Sequence, residues 1–198
     1  MSRKRNTDHE TALTAAKSLF WQHGYTGTST RDIEEQTGLT RFTIQKTYGG
    51  KRGLFLDTLD NYLENAETHL LSDIETGDLE DLACWFERLA SNDQIPSVDE
   101  MGCLVLNSID EFGREDIEVN ERIDRYFKLV EQRFINILST AVTAKNARLG
   151  LDIQSLAIVL IDLLLGVQMV FRARTEDSFA RSHACAAATL VRSWKIVE

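Results

Sequence analysis

Residues Thr28 to Leu54, TSTRDIEEQTGLTRFTIQKTYGGKRGL, constrain the fold of this chain more than any other stretch. They read as two short helices joined by a tight turn, followed by the start of a third. Ser29 or Thr30 can cap the first helix, and Asp32, three residues after Ser29, makes a weak capping box because Glu or Gln is the usual partner. Ile33 points inward, Gln36 and Thr37 close the helix, and Gly38 can take the positive φ that ends it. Leu39 fills the elbow and Thr40 caps a second helix, Arg41 to Tyr48, with Ile44 inward. Its outward face carries Arg41, Thr43, Gln45, Lys46 and Thr47, groups that bond to base edges and phosphates. Helix, glycine-containing turn and polar helix make a helix-turn-helix arrangement. On periodicity alone, two surface helices of an all-α domain would read the same.

The residues after the second helix separate these readings. Tyr48, Gly49, Gly50, Lys51, Arg52, Gly53, Leu54 and Phe55 lead into a new long helix. The run Gly38-Leu39-Thr40, Gln45-Lys46-Thr47-Tyr48, Gly50-Lys51-Arg52 and Leu54-Phe55 resembles the N-terminal domain of the TetR family of bacterial transcriptional repressors. That family's run is a Gly-Val-Ser turn, a Tyr-x-x-Phe end to the recognition helix, Ser-Lys-Glu, then Leu-Phe. The resemblance begins at Ala12 and covers about the first quarter of the chain; beyond it only helix pattern and length match. Three positions depart from it: Phe42 stands where glycine is common, Gln45 where an aromatic is usual, and Gly50 where a capping serine is usual. Phe42 could pack on a thymine methyl or under its own helix, which bears on the bases read rather than on the docking mode.

The net charge of −9 argues at first against nucleic acid, but its distribution does not. Residues 1–53 hold nine Lys and Arg against five Asp and Glu, whereas residues 54–198 hold thirteen against twenty-six. A basic head can meet phosphates while the acidic body stays away from them. Arg3, Lys4 and Arg5 form a short basic arm with no apolar stretch behind it, so a signal peptide is not expected and a cytoplasmic location is.

The rest reads as helices, with 43% apolar residues and one proline. Thr7 to Gly24 is a first helix with Leu13, Ala16, Leu19 and Phe20 on one face; Lys51 to about Ile74 is a connecting helix with Phe55, Leu59, Tyr62, Leu63, Ala66 and Leu70 on one face. Gly77 breaks the chain. Leu79 to Leu89 is amphipathic, with Trp85 beside its stripe; residues 92–98 form a loop; residues 101–112 are a shorter helix; and residues 116–146 a long one. Asp152 can cap a helix from Ser155 to Phe171, apolar almost all round. At that length, with Asp162 and Gln168 inside it, it reads as a helix buried on all sides rather than a membrane span. The last helix, about Asp177 to Lys195, is rich in small residues: Ala180, Ala184, Ala186, Ala187 and Ala188.

The expected fold is therefore all-α with about nine helices, divided into a helix-turn-helix domain over residues 1–53 and a larger helical domain over residues 54–198. The resemblance implies a ligand-responsive regulator, a repressor, binding a palindromic operator in double-stranded DNA as a homodimer paired through its two C-terminal helices. Composition permits that pairing, and equally permits both helices to finish one monomeric core. The DNA-facing candidates are Thr30, Thr40, Arg41, Phe42, Thr43, Gln45, Lys46, Thr47, Tyr48 and Lys51. Lys51 starts the connecting helix, where the helix dipole already favours a phosphate. If the helices pack as in the family, a small-molecule effector site would draw on Trp85, Phe86, Cys103, Asn107, Phe127, Gln168 and Phe171, aromatic walls with a few polar groups. For each aromatic the ordinary-core reading outweighs that of a ligand contact.

Cys84, Cys103 and Cys185 have no metal spacing, and a disulfide framework is not expected. Cys103, in Met-Gly-Cys-Leu at a helix start, offers an alternative in which the regulator senses electrophiles or oxidants. No phosphate loop, nucleophile elbow or catalytic cluster stands out, and His9, His23, His69 and His183 are scattered, so neither enzyme activity, a cofactor nor a metal is expected. A helical module that docks a protein partner is the rival from another class.

Overall fold

The computed structural model describes residues 9–89, 103–144, 147, 152–173 and 177–196. The basic arm Arg3-Lys4-Arg5 and the 92–98 loop lie outside them. Nine α-helices succeed one another among the described residues: α1 (His9–Gly27), α2 (Thr30–Thr37), α3 (Arg41–Tyr48), α4 (Lys51–Asn65), α5 (Leu79–Leu89), α6 (Leu104–Phe112), α7 (Ile117–Thr143), α8 (Ile153–Arg172) and α9 (Asp177–Arg192). The contacts gather into two compact units, one of residues 1–65 with 104–124, the other of residues 66–103 with 125–198.

The first unit is built around α1. Ala12, Ala16 and Phe20 are fully buried with Ile33 of α2, Ile44 of α3 and Leu54, Phe55 and Leu59 of α4. The Phe20 ring meets Phe55 edge-on at 5.2 Å, and Trp21 meets Tyr62 edge-on at 5.2 Å. α1 does not end at Gly24 but kinks there (φ 74°, ψ 172°) and turns on to Gly27. α6 and the start of α7 belong to this unit and are fastened by ion pairs. Arg52 bridges Asp116 at 2.6 Å and Glu118 at 2.6 Å, and Arg122 reaches Asp60 at 2.5 Å while donating to the Leu56 carbonyl. The Arg52 hydrogen bond holds the Asp116 carboxyl below its usual range.

The expected helix from Lys51 to Ile74 is not continuous. After Asn65 the chain forms a π-turn, Ala66–Leu70, and then a 3₁₀ turn, Ser72–Ile74. The Leu71 N–H bonds back to the Ala66 carbonyl at 2.9 Å, and this wider turn lets both Leu71 and Ile74 bury completely.

In the second unit α9 packs against α5 and α8, with Ala180, Ala184, Ala187 and Ala188 buried. These small side chains permit the close approach. Trp85 is not beside the α5 stripe but inside it: it is buried, donates from Nε1 to the Leu70 carbonyl at 2.6 Å, and packs edge-on to Phe86 and Phe134. Arg192 ties α9 to α5 through Glu80 and Glu87.

α8 departs most from expectation. Asp152 caps it as expected, accepting from the Gln154 and Ser155 amides. It then runs for 20 residues, long and apolar enough by length and composition to cross a membrane. It is not buried on all sides. Ala157, Leu160, Leu164, Val167 and Gln168 face inward, whereas Ile158 and Met169 are 54% and 47% exposed and share the outer face with Val159 and Gly166. The outer side of α9 continues in kind with Phe179 (50% exposed), Ala186 and Leu190.

Candidate nucleic-acid interface

The helix-turn-helix is held by reciprocal caps. Ser29, not Thr30, caps α2: its hydroxyl accepts from the Asp32 amide at 3.2 Å while Asp32 accepts from the Ser29 amide at 2.8 Å, closing a full capping box. The same hydrogen bonds depress the Asp32 pKa. Gly38 ends α2 in the left-handed region at φ 71°. Thr40 caps α3, accepting from the Thr43 amide at 3.2 Å, and its hydroxyl lies 3.0 Å from that of Thr43. Glu34 of α2 accepts the Arg41 amide at 2.6 Å, a cross-turn contact that fixes where α3 begins.

These contacts sort the candidate residues. Arg41, Phe42, Gln45, Lys46 and Thr47 are exposed on α3, and Ile44 alone anchors its middle. Phe42 is 74% exposed, so it does not pack under its own helix. Thr40 and Thr43 are half-buried, and Thr30 sits half-buried in the first turn of α2. The Tyr48 ring is buried, tilted against His9 with centroids 5.3 Å apart, and burial raises its hydroxyl pKa. Lys51 lies half-buried at the N-terminus of α4 with Nζ 4.2 Å over the Tyr25 ring, and burial lowers its pKa. Arg52, next to it, is taken up by Asp116 and Glu118. The resulting surface presents cations, amides and hydroxyls with no carboxylate among the exposed side chains of α3.

Sequence reasoning missed Tyr25 and Glu111. Glu111 accepts the amides of Tyr25, at 2.7 Å, and of Thr26, across more than eighty residues of chain. A carboxylate on a short helix carries no signal of so remote a partner.

The effector candidates divide between the units. Asn107 belongs to the first unit, its amide nitrogen 3.5 Å from the Trp21 carbonyl. The second unit holds the others. Trp85 and Phe86 pack with Phe134, Phe127 is half-buried beside Tyr126, and Phe171 packs on Val167 and Ala184. Gln168 is buried on α8 with no hydrogen-bond partner for Oε1 among the described residues. Cys103 is buried immediately before α6, Cys84 is half-buried and Cys185 is exposed; none forms a disulfide. Among the described residues, no group of three His, Cys, Asp or Glu could hold a metal ion.

Comparison with known proteins divides the chain differently from its contacts, assigning α6 and the start of α7 to the C-terminal part. Residues 12–58 match the family model for bacterial regulatory proteins of the tetR family, and residues 79–187 match that for the tetracyclin repressor-like C-terminal domain. The HTH-type transcriptional regulator YezE of Bacillus subtilis is 29% identical over 140 residues, 69% of this chain and 72% of that one. A TetR-family regulator from Cytophaga hutchinsonii superposes with a TM-score of 0.85 over 100% of this chain and 99% of that one at 16% identity. CifR, a TetR-family regulator solved with 26bp double-strand operator DNA, superposes with a TM-score of 0.81 over 98% of this chain and 100% of that one at 20% identity. With both family models matched in order across most of its length, the chain belongs to the TetR family of bacterial regulatory proteins and is a DNA-binding, helix-turn-helix transcriptional regulator, not an enzyme.

Proposed function

We propose that this regulator is a homodimeric repressor that binds a palindromic operator and leaves it when a small-molecule effector binds its helical body. The observation that carries the reading is the outer face of α3: five exposed side chains, Arg41 to Thr47, on a helix anchored from beneath by Ile44. Such a helix has the size and chemistry to enter a major groove. Arg41, Thr43, Gln45 and Lys46 face the bases, Phe42 offers an apolar contact to a thymine methyl, and Lys51, Tyr48 and Thr30 set register on phosphates.

One such unit covers only a few base pairs, so specificity calls for two. The outer faces of α8 and α9, with Ile158, Met169, Phe179 and Leu190 exposed beside small residues, support pairing with a second copy into four helices. A membrane is the other medium that could cover α8, and a monodisperse dimer without detergent decides between them. The functional division falls between residues 1–53, which read DNA, and residues 54–198, which pair and bind the effector, in the cytoplasm. The first compact unit extends past that division, so residues 54–65 and 104–124 of the effector half share a core with the DNA reader. An effector that binds one arrangement of that body better than another shifts the population away from the operator-binding form. The buried Oε1 of Gln168 supports an effector with a hydrogen-bond donor. Burial of Cys103 favours this reading over a thiol sensor at that position.

The test is binding of the purified protein to DNA tiled across its own genomic neighbourhood at two salt concentrations. A palindromic site whose affinity falls steeply with salt supports the reading; no specific site at low salt overturns it in favour of a protein-docking module.

A further inference from the structure

Glu111 is tied into the DNA-reading unit although no base or phosphate contact is assigned to it. It lies one residue from the end of α6. Gly24 breaks the helical path of α1, leaving the next amides without the carbonyls an unbroken helix would supply. The Glu111 carboxylate takes two of them, accepting from Tyr25 at 2.7 Å and from Thr26. Phe112, the adjacent residue, packs its ring tilted against Tyr25 at 5.2 Å and stacked on Phe55 at 5.4 Å. Tyr25, held by its amide from one side and its ring from the other, carries the Lys51 ammonium 4.2 Å above the ring. Glu111 thus leads from α6 to a candidate phosphate ligand in two steps, Phe112 reaches the same Tyr25 ring, and the Glu111 charge also acts on the Lys51 ammonium through space.

We infer that Glu111 is a positioning residue for operator binding: by clamping the Tyr25 and Thr26 amides it holds the Tyr25 ring beneath Lys51 and so sets where that ammonium meets the DNA backbone. This rests on the reading of Lys51 as a phosphate contact. A cation–π seat restrains a long flexible side chain without neutralising it, so the full charge remains available to a phosphate. Because the clamp comes from α6, a shift of that helix would move Lys51 without touching the recognition helix.

The experiment uses the full chain and a palindromic duplex that it selects from a randomised library. Affinity is measured against salt for the wild type, Lys51→Ala, Glu111→Ala, Glu111→Gln, Tyr25→Leu and the Lys51→Ala/Glu111→Ala pair. Glu111→Ala should bind about tenfold more weakly at low salt, with a salt slope shallower by about one, as in Lys51→Ala. Glu111→Gln, which keeps one acceptor oxygen, should fall between it and the wild type. The double variant should match Lys51→Ala alone, because Glu111 acts through Lys51. A weaker Glu111→Ala complex with an unchanged slope, or losses that multiply in the double variant, would reduce Glu111 to a fold-stabilising residue and overturn the proposal. Tyr25→Leu keeps the amide clamp and removes the ring; it should reproduce the shallower slope even if Glu111→Ala does not fold, and a wild-type slope there overturns the proposal as well. An unchanged slope in Lys51→Ala would remove the phosphate contact itself, and failure to select any duplex would refute DNA reading; both are distinct from failure of the clamp.

Discussion

Gly53, in the first turn of α4, lies directly against the carbonyl of Tyr48 at the end of α3, so closely that a Cβ there would overlap the carbonyl carbon and oxygen. The approach fixes α4 against the recognition helix through backbone alone. Gly53→Ala must push the two helices apart, at a cost on the order of 3 kcal/mol or more. Urea unfolding checks this: the expected result is a large drop in midpoint and loss of DNA binding, and a variant as stable as the wild type would refute the close approach.

Arg41 leads the exposed face of α3, its backbone fixed by Glu34 and its side chain free to enter a groove. If it reads a guanine, Arg41→Ala costs on the order of 1–3 kcal/mol at one operator position and relaxes specificity there. Selection of binding sites with the variant shows it. An equal loss on every sequence would make Arg41 a phosphate contact instead.

Much of this was legible in the sequence, and the reasons are local. Gly38 and Thr40 announce the turn because a left-handed C-cap and a hydroxyl N-cap need those residue types within a few positions of each other. The capping box at Ser29 and Asp32 was visible for the same reason, though Asp32 proved a full partner. The continuation of α1 past Gly24, the π-turn after Asn65 and the burial of Trp85 were not visible, because each depends on what other helices present to that segment. The exposed side of α8 escaped for a related reason. An apolar helix left open on one side has the same composition as one buried all round in its own chain, and only the placement of Ile158 and Met169 separates them.

The proposed pairing of α8 and α9 with a second copy has a direct test. Met169→Lys places a charge near the C-terminal end of the exposed α8 face, where the single chain loses little but a paired one must bury it. Sedimentation should show a dimer for the wild type and a monomer with unchanged helicity for the variant. A Met169→Lys protein that remains dimeric would move the interface elsewhere.

Acid should act on the seam between α5 and α9. Hydrogen bonds from Arg192 and then Lys195 depress the Glu80 pKa from 4.5 to about 2, and Arg192 also lowers that of Glu87. A depressed carboxylate contributes stability that is fully present above its unfolded value and is lost as pH falls toward the folded one. The advantage of the wild type over Arg192→Ala should therefore be largest near neutral pH and shrink as pH falls from about 4.5 to about 2. Because these side chains are partly exposed, salt should narrow the difference. Thermal melts across that window read it; a gap independent of pH would mean that Arg192 acts by packing alone.

The central claim, a dimer placing two copies of α3 on one palindrome, is tested most directly by hydroxyl-radical footprinting of the selected duplex. The account predicts two protected half-sites, symmetric about the dyad, with centres about 34–36 Å or a multiple of that apart, and two chains bound per duplex. A single asymmetric footprint with one chain bound would contradict it.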